Sequence, residues 1–221
     1  LQKSGEIDYD FLQKVLTVKT RIVSIMFVNN VTGVINDISR ISKLVRRYAP
    51  SALLHVDGVQ AFKKLKFNLD ELDVDLFSIS GHKFHAPKGV GALYVKNKAV
   101  LKNLVFGGGQ EYGIRSGTEN VPAIMAMVAA AEAIDEEKNF EHVQKLKNLF
   151  LSQFDDCSGV KIVGENASPY ITMLLFDGVN GETLTRALED YVIVGRGSAC
   201  SAKKVGNHVL EAMGFKLNQI K

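Results

Sequence analysis

Four short strings in this chain of 221 residues carry side chains that do chemistry. In His55-Val56-Asp57-Gly58-Val59-Gln60 a carboxylate follows an apolar run directly. Open parallel sheets bind ligands at the carboxyl ends of their strands, so Asp57 is placed for a cofactor contact. An Asp at a strand end also serves as an ordinary turn or capping residue. The second string, Ser78-Ile79-Ser80-Gly81-His82-Lys83, follows another apolar run, so its polar residues are expected at the same edge as Asp57. A lysine held there, partly desolvated and near other cations, becomes a nucleophilic amine able to form an imine. Read alone, Ser-x-His-Lys is more simply a surface loop.

The third string, Gly107 to Thr118, is a glycine-rich loop leading into a long helical pattern. Backbone N–H groups at a helix start, with the Thr118 hydroxyl and the Arg115 charge, suit an anion such as phosphate, although three adjacent glycines also make a plain linker. The fourth, Gly195-Arg196-Gly197-Ser198-Ala199-Cys200-Ser201-Ala202-Lys203-Lys204, sets one cysteine among small residues and three cations. Positive charge favours the reactive thiolate, and a buried inert cysteine more often sits inside a strand or helix. Cys157, between Asp156 and Ser158, has acidic neighbours and is given no role.

These strings need elements to position them. Residues 7–16 have helical spacing, 21–27 form an apolar β-branched run, and a second helical pattern from Ile38 stops near Pro50. Strands are expected at 52–56, 74–79 and 91–95, with helical character at 69–72 between the first two. From Val121 a long helix is expected to continue through the charged stretch at 136–138 to Phe150. Beyond it lie strands at 160–163, 171–176 and 191–194, and helices at 182–188 and from Asn207. Strands alternating with helices imply an α/β fold with a mostly parallel sheet flanked by helices. The expected division is a large domain over residues 1–137 and a small C-terminal α/β domain over 138–221.

Composition bounds the rest. An apolar share of 46% and a charged share of 23% are ordinary for a globular α/β protein. No stretch approaches the run of about 18 apolar residues that a membrane span needs. The net charge of +3 is scattered, which argues against direct nucleic-acid binding, and the dense group Lys63, Lys64 and Lys66 reads as solvated surface. Two distant cysteines make neither a disulfide framework nor a Cys-x-x-Cys metal site, so no metal is expected and a reducing, cytoplasmic setting fits.

Taken in order, Val28-Asn29-Asn30, the string from His55 to Gln60, Ser80-Gly81-His82-Lys83, the run Pro87 to Val95, Arg115-Ser116-Gly117-Thr118 and Gly197-Ser198-Ala199-Cys200 resemble the cysteine desulfurases. These are pyridoxal-phosphate (PLP) enzymes of fold type I in the class V aminotransferase family. The resemblance implies that Lys83 binds PLP as an imine and moves the substrate proton, that Asp57 pairs with the pyridine nitrogen, and that Gln60 and Asn30 contact the ring hydroxyl. It implies that Ser80 and His82 hold the phosphate, with His82 counted among the catalytic groups. Thr118 would reach the phosphate of a partner subunit, which makes the enzyme a homodimer. Cys200 would take the sulfur of L-cysteine as a persulfide, release L-alanine and pass the sulfur to an acceptor protein or thiol, supplying iron-sulfur clusters or tRNA thiolation.

Three positions depart from the family's usual pattern: Val31 where Glu is common, Lys63 where Gly is common, and Ala86 where Gly usually precedes the Pro. Family members also carry an upstream Gly/Thr phosphate loop, a histidine that stacks on the ring, and a C-terminal arginine for the substrate carboxylate. The resemblance therefore reads this chain as the middle and later part of such an enzyme. A selenocysteine lyase or another class V enzyme would use the same lysine, and a fragment acting only in binding or dimerisation is the reading from another class.

Overall fold

The computed structural model describes residues 1–97, 101–103, 105–195 and 207–216. In chain order the elements are α1 (Tyr9–Val15), β1 (Ile22–Met26), α2 (Ile38–Tyr48), β2 (Leu53–Asp57), α3 (Leu69–Leu72), β3 (Leu76–Ser80) and β4 (Gly91–Val95). They continue with α4 (Val121–Glu132), α5 (Glu136–Ser152), β5 (Val160–Val163), β6 (Met173–Phe176), α6 (Gly181–Leu188) and α7 (His208–Ala212). The chain divides into two compact units. One comprises Leu16–Phe27 and Ile38–Asn139, the other Leu1–Val15, Val28–Asp37 and Phe140–Lys221.

The first unit is built on a four-stranded sheet in the order β1-β2-β3-β4. β1, β2 and β3 run parallel, and β4 returns antiparallel to β3. The mostly parallel α/β class read from the sequence is the one observed. Alternation along the strands buries Val23, Leu54, Val56 and Phe77 and leaves Ser24, His55, Asp57, Ser78 and Ser80 less buried. In α2, Ile38, Ile41 and Val45 share one buried stripe, as a three-and-four spacing requires. Among the described residues no helix is long and apolar enough to cross a membrane.

The second unit holds the antiparallel pair β5–β6 and a core of Val31, Val163, Leu175, Val209, Leu210 and Met213. Backbone hydrogen bonds tie its early segments to its late ones. Ser168 N donates to Gly33 O (2.8 Å), Ile35 N to Asn166 O (3.1 Å) and Glu165 N to Ser4 O (3.1 Å). These bonds, with buried Val28, Val31 and Val34, explain why residues 1–15 and 28–37 group with the C-terminal stretch, where a linear division at 137/138 places them with the large domain. Val31 is thus a core residue, and an apolar side chain suits its surroundings.

Two element readings change. The long helix after Val121 is two helices, because Asp135 starts a new one: its Oδ1 accepts from Lys138 N (3.1 Å) and its carbonyl from Asn139 N (3.0 Å). The expected strand at 191–194 does not form. Tyr191 N and Val192 N both donate to Leu188 O (2.9 Å each), curling the chain back after α6, and residues 191–194 stay exposed.

Candidate active site

Asp57 is the last residue of β2, and its carbonyl accepts from Phe27 N at 2.9 Å, which fixes the strand end. Its Oδ1 accepts from Val59 N at 3.0 Å, so the carboxylate folds the chain into a turn immediately beyond the sheet. Gly58 N donates to Ser78 O at 2.9 Å and locks that turn to β3. Ala61 N and Phe62 N then bond back to Gly58 O, making a helical turn that carries Gln60. Asp57 and Ser78 are register partners, so Asp57 and Ser80 leave neighbouring parallel strands at the same edge.

Beyond Ser80 the chain makes a short 3₁₀ turn, Gly81–Phe84. The buried Phe84 ring anchors it, meeting Phe62 edge-on at 5.1 Å, and Ala86 N closes it onto Gly81 O at 3.1 Å. Ala86 is itself buried, so its methyl is accommodated where relatives commonly have Gly. With Phe84 inward, His82 and Lys83 are exposed. The Ser80 hydroxyl and His82 Nδ1 lie 2.9 Å apart, one donating to the other according to the tautomer.

The turn after Asp57 also brings in a group that the sequence reading assigned to solvent. Lys64 Nζ donates to Gln60 Oε1 at 2.9 Å. Burial first, and the charge of nearby Lys83 second, pull the Lys64 pKa below its ordinary value. Two lysines therefore share this corner of the sheet. The i, i+4 spacing of Gln60 and Lys64 was the available signal. Lys63 adopts φ 59°, the left-handed conformation that favours the Gly common at this position, and its Nζ pairs with Glu136 at 2.7 Å between largely buried side chains. Only Lys66, 83% exposed, behaves as the solvated lysine expected of all three.

Left-handed backbone costs a non-glycine residue about 1 kcal/mol or more, and the Lys63–Glu136 pair offsets it. Lys63→Met, which keeps the strain and loses the pair, is expected to be the less stable substitution. Lys63→Gly is expected to lie about 1 kcal/mol nearer the wild type in urea unfolding, because it relieves the strain.

A second polar feature crosses the sheet. His55 Nδ1 lies 2.8 Å from Ser24 Oγ and its Nε2 3.2 Å from Ser78 Oγ, joining β1, β2 and β3 through one imidazole.

The remaining predicted residues are placed as follows. Thr118 is exposed just before α4, whose start is already capped by Asn120 Oδ1 accepting from Ala123 N (3.3 Å), and α4 packs against the Gly81–Phe84 turn. Asn30 belongs to the other unit and is exposed, while the adjacent Asn29 Oδ1 accepts from Val31 N (2.9 Å) and Thr32 N (3.0 Å). Cys200 lies outside the described residues. The structure thus gathers Asp57, Gln60, Ser80, His82 and Lys83, with Lys64, around one sheet edge. The set comprises an exposed primary amine, a carboxylate, an amide, and a hydroxyl with an imidazole. It matches the aldehyde, ring nitrogen, ring hydroxyl and phosphate of PLP group by group, so the residues fit that cofactor.

Comparison with known families decides the lineage. The model of one family, aminotransferase class-V, matches residues 1–215. The chain belongs to the aminotransferase class-V family. Within it, the chain is 39% identical to a cysteine desulfurase of Trichormus azollae, over 96% of this chain and 54% of that protein. It is 40% identical to the cysteine desulfurase IscS of Salmonella paratyphi C, over 97% of this chain and 54% of that protein. Among solved structures it is similar to a NifS-like protein, with a TM-score of 0.88 and 33% identity over 99% of this chain and 59% of that one. This class-V chain spans about half the length of the curated relatives it matches.

Proposed function

We propose that this chain is the part of a PLP-dependent cysteine desulfurase that carries the cofactor lysine and the sulfur-accepting cysteine. The convergence of Asp57, Ser80, His82 and Lys83 on one sheet edge supports the reading most directly. The class-V family and its desulfurases are PLP-dependent. When bound, PLP supplies an electron sink for the bonds of the substrate carbon.

The chain's own residues then have distinct tasks. Lys83 offers the amine that anchors the cofactor and afterwards carries the substrate proton. Asp57, held by Val59 N–H, would offer its carboxylate to the ring nitrogen. By the resemblance Gln60 and Asn30 would address the ring hydroxyl, Ser80 and His82 would present hydrogen-bonding groups to the phosphate, and Thr118 would serve the partner subunit's phosphate in a homodimer. The Cys200 thiolate attacks the sulfur of L-cysteine. The S–S bond forms as the C–S bond breaks, the carbon takes the electron pair and a proton, and the products are L-alanine and a Cys200 persulfide. The sulfur passes to an acceptor protein or thiol in the cytoplasm, in the supply of iron-sulfur clusters or thiolated tRNA. In this reading the large domain centres on the sheet, and Cys200 belongs to the small one.

Purified chain mixed with PLP should show the visible absorption band of lysine-bound cofactor, and Lys83→Ala should abolish it. Cysteine should then yield alanine and sulfide under thiol with Cys200 present and not in Cys200→Ser. No band in the wild type, or sulfide release independent of Cys200, would overturn the reading.

A further inference from the structure

Gln60 presents two faces to its surroundings, a carbonyl that only accepts and an amide that only donates. Crystallographic shape alone rarely tells them apart, whereas the partner does. Here the partner is an ammonium, which has donors only, and it lies 2.9 Å from Oε1. The carbonyl of Gln60 is therefore turned to Lys64, and its Nε2 is the group left to meet a ligand. Lys64 reaches this position through two successive turns, Ala61 N and Phe62 N on Gly58 O and then Lys64 N and Leu65 N on Ala61 O, with left-handed Lys63 between them. Lys64 is half-buried and close enough to Lys83 for their charges to interact, whereas Lys66 two residues on is open to solvent.

We propose that Lys64 is a positioning residue that fixes the Gln60 side chain as a hydrogen-bond donor, so that this corner selects an anionic ring oxygen, the ionised hydroxyl of PLP. The proposal rests on the reading of Gln60 as a cofactor contact. A glutamine free to flip would present carbonyl or amide with little preference, and a carbonyl facing an oxyanion is repulsive. Lys64 removes that choice without touching the cofactor.

The test is a set of absorbance titrations of the full 221-residue chain with PLP and with 3-deoxypyridoxal phosphate, which lacks the ring hydroxyl. Lys64→Met is expected to weaken PLP binding about tenfold, the scale of one hydrogen bond to a charged group. Lys64→Arg, which keeps a donor-only cation, should restore most of the loss, and Lys66→Met should change nothing. In a Gln60→Leu background Lys64→Met should cost nothing further, and the deoxy analogue should bind wild type and Lys64→Met alike. Circular dichroism of the cofactor-free variants shows whether each is folded, and Lys64→Gln, whose amide can present either group, replaces the Met variant if that one is not. Additive losses in the double variant, or an equal loss towards the deoxy analogue, would mean that Lys64 acts as a bulk charge and would overturn the proposal. If wild type binds PLP and Lys64→Met binds it as well, only this inference fails. If wild type binds no PLP, the functional reading fails and takes the inference with it.

Discussion

Gly58→Ala is expected to lower the stability of the sheet unit by about 3 kcal/mol or more, beyond the usual cost of overpacking. A methyl at Gly58 would lie 1.9 Å from Cζ and 2.1 Å from Cε1 of Phe77, inside any real van der Waals contact. Neither side can give easily. Phe77 is 2% exposed and packs against Phe67 at 5.3 Å, which packs in turn against Phe27 at 5.2 Å. The Gly58 peptide is bonded to Ser78 O, so retreat would break the link between β2 and β3 at the site. Urea unfolding measures the loss, and Phe77→Met, with a slimmer and more adaptable side chain, should recover much of it in the double variant. Because Asp57 is the preceding residue, Gly58→Ala should also weaken PLP binding in the population that remains folded. A Gly58→Ala protein with a wild-type midpoint would show that the ring and the turn are not in this contact.

Arg46→Met is expected to cost about 3 kcal/mol, the lower end for breaking a buried ion pair, since the guanidinium is only partly buried. Its Nε reaches Asp73 Oδ2 (3.0 Å), its Nη1 reaches Asp75 Oδ2 (3.0 Å) and Ala52 O (3.3 Å), and its Nη2 reaches Asp73 O (2.8 Å). Asp75 Oδ2 also accepts from Leu54 N at 2.7 Å, so one cation joins α2, the start of β2 and the approach to β3. Without Arg46 the Asp75 carboxylate, 20% exposed, loses its counter-ion. Arg46→Lys should recover little, because an ammonium lacks the planar fork that spans four acceptors.

The same cluster gives a pH dependence with a definite sign. Hydrogen bonds from Lys96 first and from Arg46 second hold the Asp73 pKa below the ordinary carboxylate value. Its contribution is therefore full above the unfolded carboxylate pKa of about 4 and is lost as pH falls through the lower folded value. Asp73 is 46% exposed, so the effect is small and screened by salt. Acid unfolding midpoints of wild type and Asp73→Asn measure it, and the Asn variant should show the flatter acid limb.

What was legible in the sequence followed from local rules. The strands expected at 52–56 and 74–79 stand out as short apolar runs broken by polar residues, and their parallel order follows from the helices between strands. That reading puts Asp57 and Lys83 at one edge of the sheet. The Lys63-Lys64-Leu65-Lys66 run was opaque because composition registers charge, while the roles there depend on a left-handed residue and a side chain turned back one helical step. The 191–194 run has strand composition, but ladder partners lie outside any local window. The family resemblance proposes a task for each group; the packing of Val31 with Leu210 lies beyond it.

That packing bears on the order in which the chain takes shape. The core that buries Val31 is completed by Val209, Leu210 and Met213, so during synthesis the segment around Val31 must wait for residues 209–213 to emerge. Among the described residues, the sheet unit by contrast has its four strands by Val95. Contacts between such distant residues close late and slowly. A nascent or truncated chain ending near residue 137 would present Val28, Val31 and Val34 as a sticky apolar patch, and its solubility should improve once residues 140–216 are restored.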